Sequence, residues 1–147
     1  MRIGGCQCGA VRFTVSRDNL FCYACHCSQC QKQSASAFGL SVPVRQAEFK
    51  VEGTVNYWSR STFSGGRTDC YFCPDCGSRV FHAGRAGGEY VTVKGGAFDD
   101  VAGLEPKAHI WTSMKLPWTP IPAVVPSFAT QPPDLDAWRR SFFGPDE

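Results

Sequence analysis

Short stretches in which hydrophobic and polar residues alternate run through the chain and predict a fold built mainly of β-strands. Val11, Phe13 and Val15 are separated by Arg12 and Thr14, the pattern of a strand with one buried face. Comparable patterns predict further strands over residues 20–24, 37–42, 48–51, 55–59, 68–72, 79–83, 89–94 and 108–112.

Glycine and proline positions indicate how these strands connect. Glu52-Gly53-Thr54 and the glycine-rich residues 84–88 each predict a hairpin between the strands on either side. Pro43 cannot donate a hydrogen bond to a sheet, so we expect it to end the strand before it. Residues 4–9 contain three glycines and predict a tight turn.

Two segments have the composition of short helices. Residues 28–36 are polar and lack glycine and proline, and Ser28 followed by Gln31 is typical of a helix N-cap. Residues 135–143 predict a second short helix. The proline-rich segment 117–133 is expected to lie extended on the surface.

Composition places the chain among ordinary globular proteins and excludes several functions. With 147 residues, 43% hydrophobic and no visible repeat or linker, it fits one domain, predicted over residues 1–130 with a tail over 131–147. A net charge of +2 without a basic run argues against nucleic-acid binding. No apolar run approaches the ~18 residues of a membrane span. No apolar stretch typical of a secretory signal is visible near Met1, so we expect a soluble cytoplasmic protein.

Nine cysteines are the strongest chemical signal in the chain. The number is odd, and a reducing compartment disfavours disulfides. Cys73-x-x-Cys76 is followed by a glycine, as is Cys6-x-Cys8, and these spacings let two sulfurs face one tetrahedral ion. We therefore predict a structural zinc bound by Cys6, Cys8, Cys73 and Cys76.

A second group, Cys25-x-Cys27-x-x-Cys30, supplies three sulfurs. Three protein ligands leave one tetrahedral position open, as in catalytic zinc sites. Three thiolates overcompensate the charge of Zn²⁺, so such a site suits a soft sulfur ligand better than the generation of hydroxide. Cys25, Cys27 and Cys30 are the predicted catalytic residues and the ligands of a second zinc.

Alternatives remain open for the other cysteines and for the histidines. Cys22 would make the second group a closed, structural site if it joined Cys25, Cys27 and Cys30, whereas within a strand it would pack as a small apolar residue. Core packing is also the preferred interpretation for Cys70. His26 lies between two predicted ligands and could serve as a base or as a packing residue. His82 and His109 lie in apolar strand patterns and are interpreted as packing residues.

Several motifs together resemble one known family. They are Gly4-Gly5-Cys6-x-Cys8-Gly9-x-Val11-Arg12-Phe13, Cys25-His26-Cys27-x-x-Cys30-Gln31-Lys32, Phe72-Cys73-Pro74-x-Cys76-Gly77-Ser78, and His109-Ile110-Trp111-Thr112 through Lys115-Leu116-Pro117-Trp118. In this order, from about Gly4 to Phe128, they are similar to the glutathione-dependent formaldehyde-activating enzyme and centromere protein V family. Ala35 departs from the family, which often has glycine at this position.

The resemblance implies a fold, two metal sites and a reaction. The fold is mainly β, a "β-tent" of packed antiparallel sheets stapled by zinc with short helical turns. The implied structural zinc binds Cys6, Cys8, Cys73 and Cys76, and the implied catalytic zinc binds Cys25, Cys27 and Cys30. The implied activity is that of a carbon–sulfur lyase, which in reverse condenses formaldehyde with the thiol of glutathione to S-hydroxymethylglutathione.

Two other functions compete with this hypothesis. A non-catalytic protein-interaction module would have four sulfurs around each zinc, and the extra Cys22 and the proline-rich segment favour it. A zinc ribbon that binds nucleic acid is a third possibility, and the near-neutral charge weakens it. We favour the carbon–sulfur lyase that acts on a small aldehyde–thiol adduct.

Overall fold

The computed structural model describes residues 1–143 and shows a mainly β protein with few helices, as the sequence predicts. Residues 144–147 of the predicted tail lie outside the described part of the chain. The strands are β1 (Arg2–Gly5), β2 (Arg12–Val15), β3 (Tyr23–Cys25), β4 (Gly39–Arg45), β5 (Phe49–Glu52), β6 (Asn56–Ser61), β7 (Arg67–Phe72), β8 (Arg79–Gly84), β9 (Tyr90–Lys94) and β10 (His109–Ile110). The helices are α1 (Ser28–Ser34) and α2 (Leu135–Arg140), with short 3-10 helices at Gln46–Glu48, Gly95–Ala97 and Thr112–Met114.

The chain divides into two compact units. The first contains residues 1–20 and 41–104, and the second contains residues 21–40 and the described residues from 105 onward. In the first unit, β1, β2 and β5 form an antiparallel sheet in that spatial order. Fully buried Phe13 of β2 packs with its ring centroid 5.7 Å from that of Phe49 and 5.2 Å from that of Phe98.

The two predicted hairpins have different outcomes. β8 and β9 pair as predicted, with Phe81 opposite Val93. The hairpin predicted at Glu52-Gly53-Thr54 is wrong, since β5 pairs with β2 and β6 pairs with β7. A Cβ on Gly53 would collide with the backbone of Ala10, so this glycine permits close contact with a distant segment.

The larger sheet of the first unit continues through a proline. β9, β8, β7 and β6 follow one another as antiparallel neighbours, and residues 41–45 of β4 pair with β9. The prediction that Pro43 ends its strand is wrong, because Pro43 lies within β4 opposite Thr92. Only alternate residues of an antiparallel strand exchange hydrogen bonds with a given neighbour, so one missing N–H does not end the pairing.

The second unit contains a short parallel pair of strands. β10 lies parallel to β3, with His109 opposite Ala24 and Ile110 opposite Cys25. Both strands are shorter than the sequence pattern predicts. β10 ends where Trp111 adopts a left-handed backbone with φ 55°, a conformation that no strand residue has.

Helix α1 follows β3 and begins where the sequence predicts. Its N-cap is Cys27 and not Ser28, because the Cys27 sulfur accepts a hydrogen bond from the Cys30 amide at 3.3 Å. The helix ends at Ala35, whose left-handed backbone has φ 50°. Helix α2 confirms the predicted second helix. Among the described residues, no helix is long and apolar enough to cross a membrane.

Candidate metal centres

Four cysteine sulfurs from distant parts of the sequence meet in the first unit. The Sγ atoms of Cys6, Cys8, Cys73 and Cys76 lie within 4.8 Å of one another. The Sγ–Sγ distance is 3.6 Å from Cys6 to Cys8 and 3.7 Å from Cys8 to Cys73. Four sulfurs placed tetrahedrally about a zinc at Zn–S distances of about 2.3 Å would be separated by about 3.8 Å. These residues, the "tetrad", therefore fit a tetrahedral metal ion.

The two glycines that follow the cysteine pairs produce matching turns. Gly9 has φ 82° and Gly77 has φ 76°, positive values that glycine adopts without a steric cost. The Gly9 amide donates to the Cys6 carbonyl at 3.2 Å, and the Gly77 amide donates to the Cys73 carbonyl at 2.8 Å. Each turn folds the backbone back so that both sulfurs of a pair face the same point.

Ser78, which lies outside the set of predicted ligands, supports the tetrad. Its Oγ lies 3.2 Å from the Sγ of Cys76 and accepts a hydrogen bond from the Gln7 amide at 3.1 Å. Hydrogen bonds from the Ser78 hydroxyl and amide lower the pKa of the Cys76 thiol to about 5. Ser78 therefore favours the thiolate that binds metal, and its position directly after Cys76-Gly77 was a signal for this role.

Three sulfurs gather in the second unit. Cys25 ends β3, Cys27 caps α1, and Cys30 lies in the first turn of that helix. Their Sγ atoms lie within 4.8 Å of one another, and all three residues are buried. The Gln33 side-chain amide also donates to the Cys30 sulfur at 3.5 Å. Among the described residues, no further cysteine, histidine or carboxylate joins this group, which we call the "trio".

The electrostatics of the trio suit a cation. Hydrogen bonds with Cys27 and Cys30, followed by burial, raise the pKa of the Cys25 thiol. Three ionised sulfurs cannot share a buried site without a compensating positive charge. Because metal ligation requires thiolates and a metal ion supplies that charge, the donor set fits a soft divalent metal. Both groups could hold metal ions.

The remaining cysteines stay outside both groups. Cys22 is buried in the second unit, but its sulfur is not among those gathered with Cys25, Cys27 and Cys30. Cys70 is fully buried on β7 opposite His82 of β8 and does not join the tetrad. The structure thus does not form the closed local site considered for Cys22.

His26 is directed toward protein groups in its own unit. The fully buried His26 ring lies with Nε2 2.9 Å from Nδ1 of His109 and packs against Phe38. Burial, and then the positive charges of His109 and Lys115, lower the pKa of His26 to about 4. The imidazole is held through Nε2, while its buried Nδ1 has no hydrogen-bond partner among the described residues. No sequence pattern predicts the pairing of these two histidines, which are 83 positions apart.

His82 also occupies a packed position, as predicted. Its Nε2 lies 3.4 Å from a guanidinium nitrogen of Arg79, which can only donate, so Nε2 accepts. Burial, followed by the positive charges of Lys94, Arg79 and Arg60, holds the pKa of His82 well below its usual range. Arg60 has no carboxylate partner among the described residues.

The trio belongs to an apolar cluster. Buried Tyr23, Ala108 and Ile110 pack together with the three cysteines. Partly buried aromatic residues cover this cluster within the second unit: Phe21, Trp111, Phe128 and Trp138. Such surroundings exclude water and strengthen electrostatic interactions with whatever binds there.

The chain is similar to known proteins. The family model described as "Glutathione-dependent formaldehyde-activating enzyme" matches residues 1–114, which include the tetrad and the trio. A crystal structure of a Rhodobacter sphaeroides protein is similar, with a TM-score of 0.53 and 23% sequence identity over 71% of this chain and 91% of that one. That similarity concerns the fold. The family model matches residues 1–114, which is most of the chain, and this shows that the chain belongs to the glutathione-dependent formaldehyde-activating enzyme family.

Proposed function

We propose that this protein is a zinc-dependent carbon–sulfur lyase that makes and breaks the adduct of a small thiol, such as glutathione, with a small aldehyde, such as formaldehyde. One observation carries the proposal: three buried sulfurs lie within 4.8 Å of one another without a fourth protein ligand among the described residues. Family membership supports glutathione and formaldehyde as the substrates.

The two cysteine groups would hold two zinc ions with different tasks. Cys6, Cys8, Cys73 and Cys76 offer four sulfurs, as in closed structural sites, and Cys25, Cys27 and Cys30 offer three, as in catalytic sites. When bound by the trio, zinc would hold a substrate thiol as its thiolate or polarise the aldehyde oxygen. Because seven reduced thiols are needed, we place the protein in the reducing cytoplasm.

The proposed reaction balances without another reactant. The substrate sulfur attacks the aldehyde carbon, a C–S bond forms, and the C=O bond becomes a C–OH that carries the thiol proton. In the reverse direction the hydroxyl proton returns to sulfur as the C–S bond breaks. The chain's contribution is to fix the three sulfurs on β3 and α1 and to keep bulk water away with Tyr23, Ala108 and Ile110.

Cys27→Ala tests the proposal, and Cys22→Ala is its matched control. Both replace a buried cysteine of the second unit, but only Cys27 belongs to the trio. Zinc per chain is measured by elemental analysis. Adduct formation is measured by NMR exchange between free and glutathione-bound ¹³C-formaldehyde, which separates catalysis from the spontaneous reaction.

We expect two zinc ions and accelerated exchange in the wild type and in Cys22→Ala, and one zinc without acceleration in Cys27→Ala. A folded Cys27→Ala protein with full activity would contradict the proposal. Two zinc ions in the wild type without any acceleration would instead favour a non-catalytic interaction module.

A further inference from the structure

Helix α2 contributes an aromatic side chain to the apolar cluster of the trio, although it lies beyond the residues that the family model matches. Trp138 of α2 packs against the cluster that contains the three cysteines. Its ring centroid lies 5.1 Å from that of Tyr23, 5.7 Å from that of Phe21 and 5.8 Å from that of Phe128. Each contact has the edge-to-face geometry that stabilises aromatic pairs.

A second contact joins α2 to β3, because the Arg139 side chain forms a hydrogen bond with the Tyr23 phenol. Arg139 neighbours Trp138 on α2, so two successive helix residues contact Tyr23, which lies two positions before Cys25. The helix is therefore attached to the strand that carries the first sulfur of the trio.

α2 depends on these contacts for its stability. It has six residues, and helices shorter than about 12 residues are marginal on their own in water. Its N-cap is Asp134, whose Oδ1 accepts a hydrogen bond from the Ala137 amide at 2.9 Å. Loss of the Trp138 contacts or of the cap would raise the fraction of molecules in which α2 leaves the cluster.

We infer that Trp138 closes the apolar cluster around the trio, so that the dissociation of α2 controls how fast solutes reach Cys25, Cys27 and Cys30. The inference rests on the proposed function only in taking the trio as a metal site. Trp138 thereby acts as a gatekeeping residue on a helix that lies beyond the residues matched by the family model.

The test measures metal release from the zinc-loaded protein to the coloured chelator 4-(2-pyridylazo)resorcinol. The phase that Cys27→Ala removes reports the trio. We expect Trp138→Ala to accelerate this phase about 30-fold, equivalent to about 2 kcal/mol of lost contact energy at 1.4 kcal/mol per tenfold change. Trp138→Phe should stay near the wild-type rate. Trp118→Ala should do so as well, because Trp118 is 71% exposed.

Asp134→Ala provides a second variant that leaves the aromatic contacts in place. Loss of a helix cap should accelerate the same phase about 5-fold, while the release phase of the tetrad keeps its rate. Folding is checked by circular dichroism. If folded Trp138→Ala and Asp134→Ala both release the trio's metal at the wild-type rate, the gatekeeping role is refuted. Because release is measured without substrate, this outcome is independent of whether thiol–aldehyde activity is found.

Discussion

Loss of the metal from the tetrad should lower the free energy of unfolding of the first unit. Cys8 and Cys73 are 65 positions apart and lie with their sulfurs at 3.7 Å, so a metal there closes a long loop. In the chain-entropy relation for cross-links, a loop of that size corresponds to about 4 kcal/mol at 25 °C. A metal clamp acts in the same sense, because the folded state presents the assembled site.

Cys73→Ala is the sharpest perturbation, and Cys70→Ala is its control. Both residues are fully buried in the same unit, three positions apart, but only Cys73 belongs to the tetrad. For a chain of this size, about 4 kcal/mol corresponds to a decrease in Tm of about 10 °C. Cys70→Ala loses only a buried sulfur, so its Tm should decrease by only a few degrees.

Thermal unfolding followed by circular dichroism, with and without a strong chelator, is the assay. The chelator should lower the Tm of the wild type and of Cys70→Ala by about the same amount as the Cys73 substitution does, and it should have little further effect on Cys73→Ala. Equal Tm values for Cys73→Ala and Cys70→Ala, or a wild type that the chelator leaves unchanged, would refute the assignment of the tetrad as a metal clamp.

Three further changes have directions fixed by single contacts. Ala35→Gly should raise the free energy of unfolding by about 1 kcal/mol in urea titration, because it relieves the left-handed backbone at φ 50°; a loss of stability would show that the methyl group is needed. Ser78→Ala should raise the pKa of Cys76 and weaken zinc binding to the tetrad about tenfold in competition with a chelator, and an unchanged Kd would refute this role. His82 has a folded pKa well below 6.5, so the unfolded state binds the extra proton first as the pH falls. The contribution of neutral, buried His82 to the free energy of unfolding is therefore present above about pH 6.5 and is lost as the pH falls below that value. The free energy of unfolding of His82→Gln should therefore decline less steeply between pH 7 and 5 than that of the wild type. Identical declines in the two proteins would contradict this assignment.

The strand pattern was the most readable part of the sequence, because an alternation of period two directly reports one buried face. It located β2 and β7 within one residue. The same pattern does not reveal β1, because Gly4 and Gly5 are typical of a turn. A Cβ on Gly4 would collide with the Ala97 carbonyl and the Phe13 ring. These glycines are thus required by contacts that the local sequence does not show.

The cysteine groups were predictable for a different reason. Ligands two or three positions apart meet through local turns, so their spacing alone identifies them. The supporting residues come from elsewhere in the chain. Ser78 is near Cys76 in sequence, but its other partner is Gln7, 71 positions away. Trp138 reaches the cluster of Cys25 only after β3 and α2 have packed, and no spacing rule anticipates that contact.

The two groups differ in exposure. The tetrad includes exposed Cys8 and half-buried Cys76, and a metal bound by four sulfurs tolerates that exposure because it has no open position for water to occupy. All three sulfurs of the trio are buried among aromatic side chains, although three ligands alone need no such cover to bind a metal. An open coordination position is a reason for that cover, because water there would compete with a substrate and oxidants would reach the thiolates. The burial of the trio therefore supports the assignment of chemistry to Cys25, Cys27 and Cys30, and the exposure of the tetrad supports a structural task.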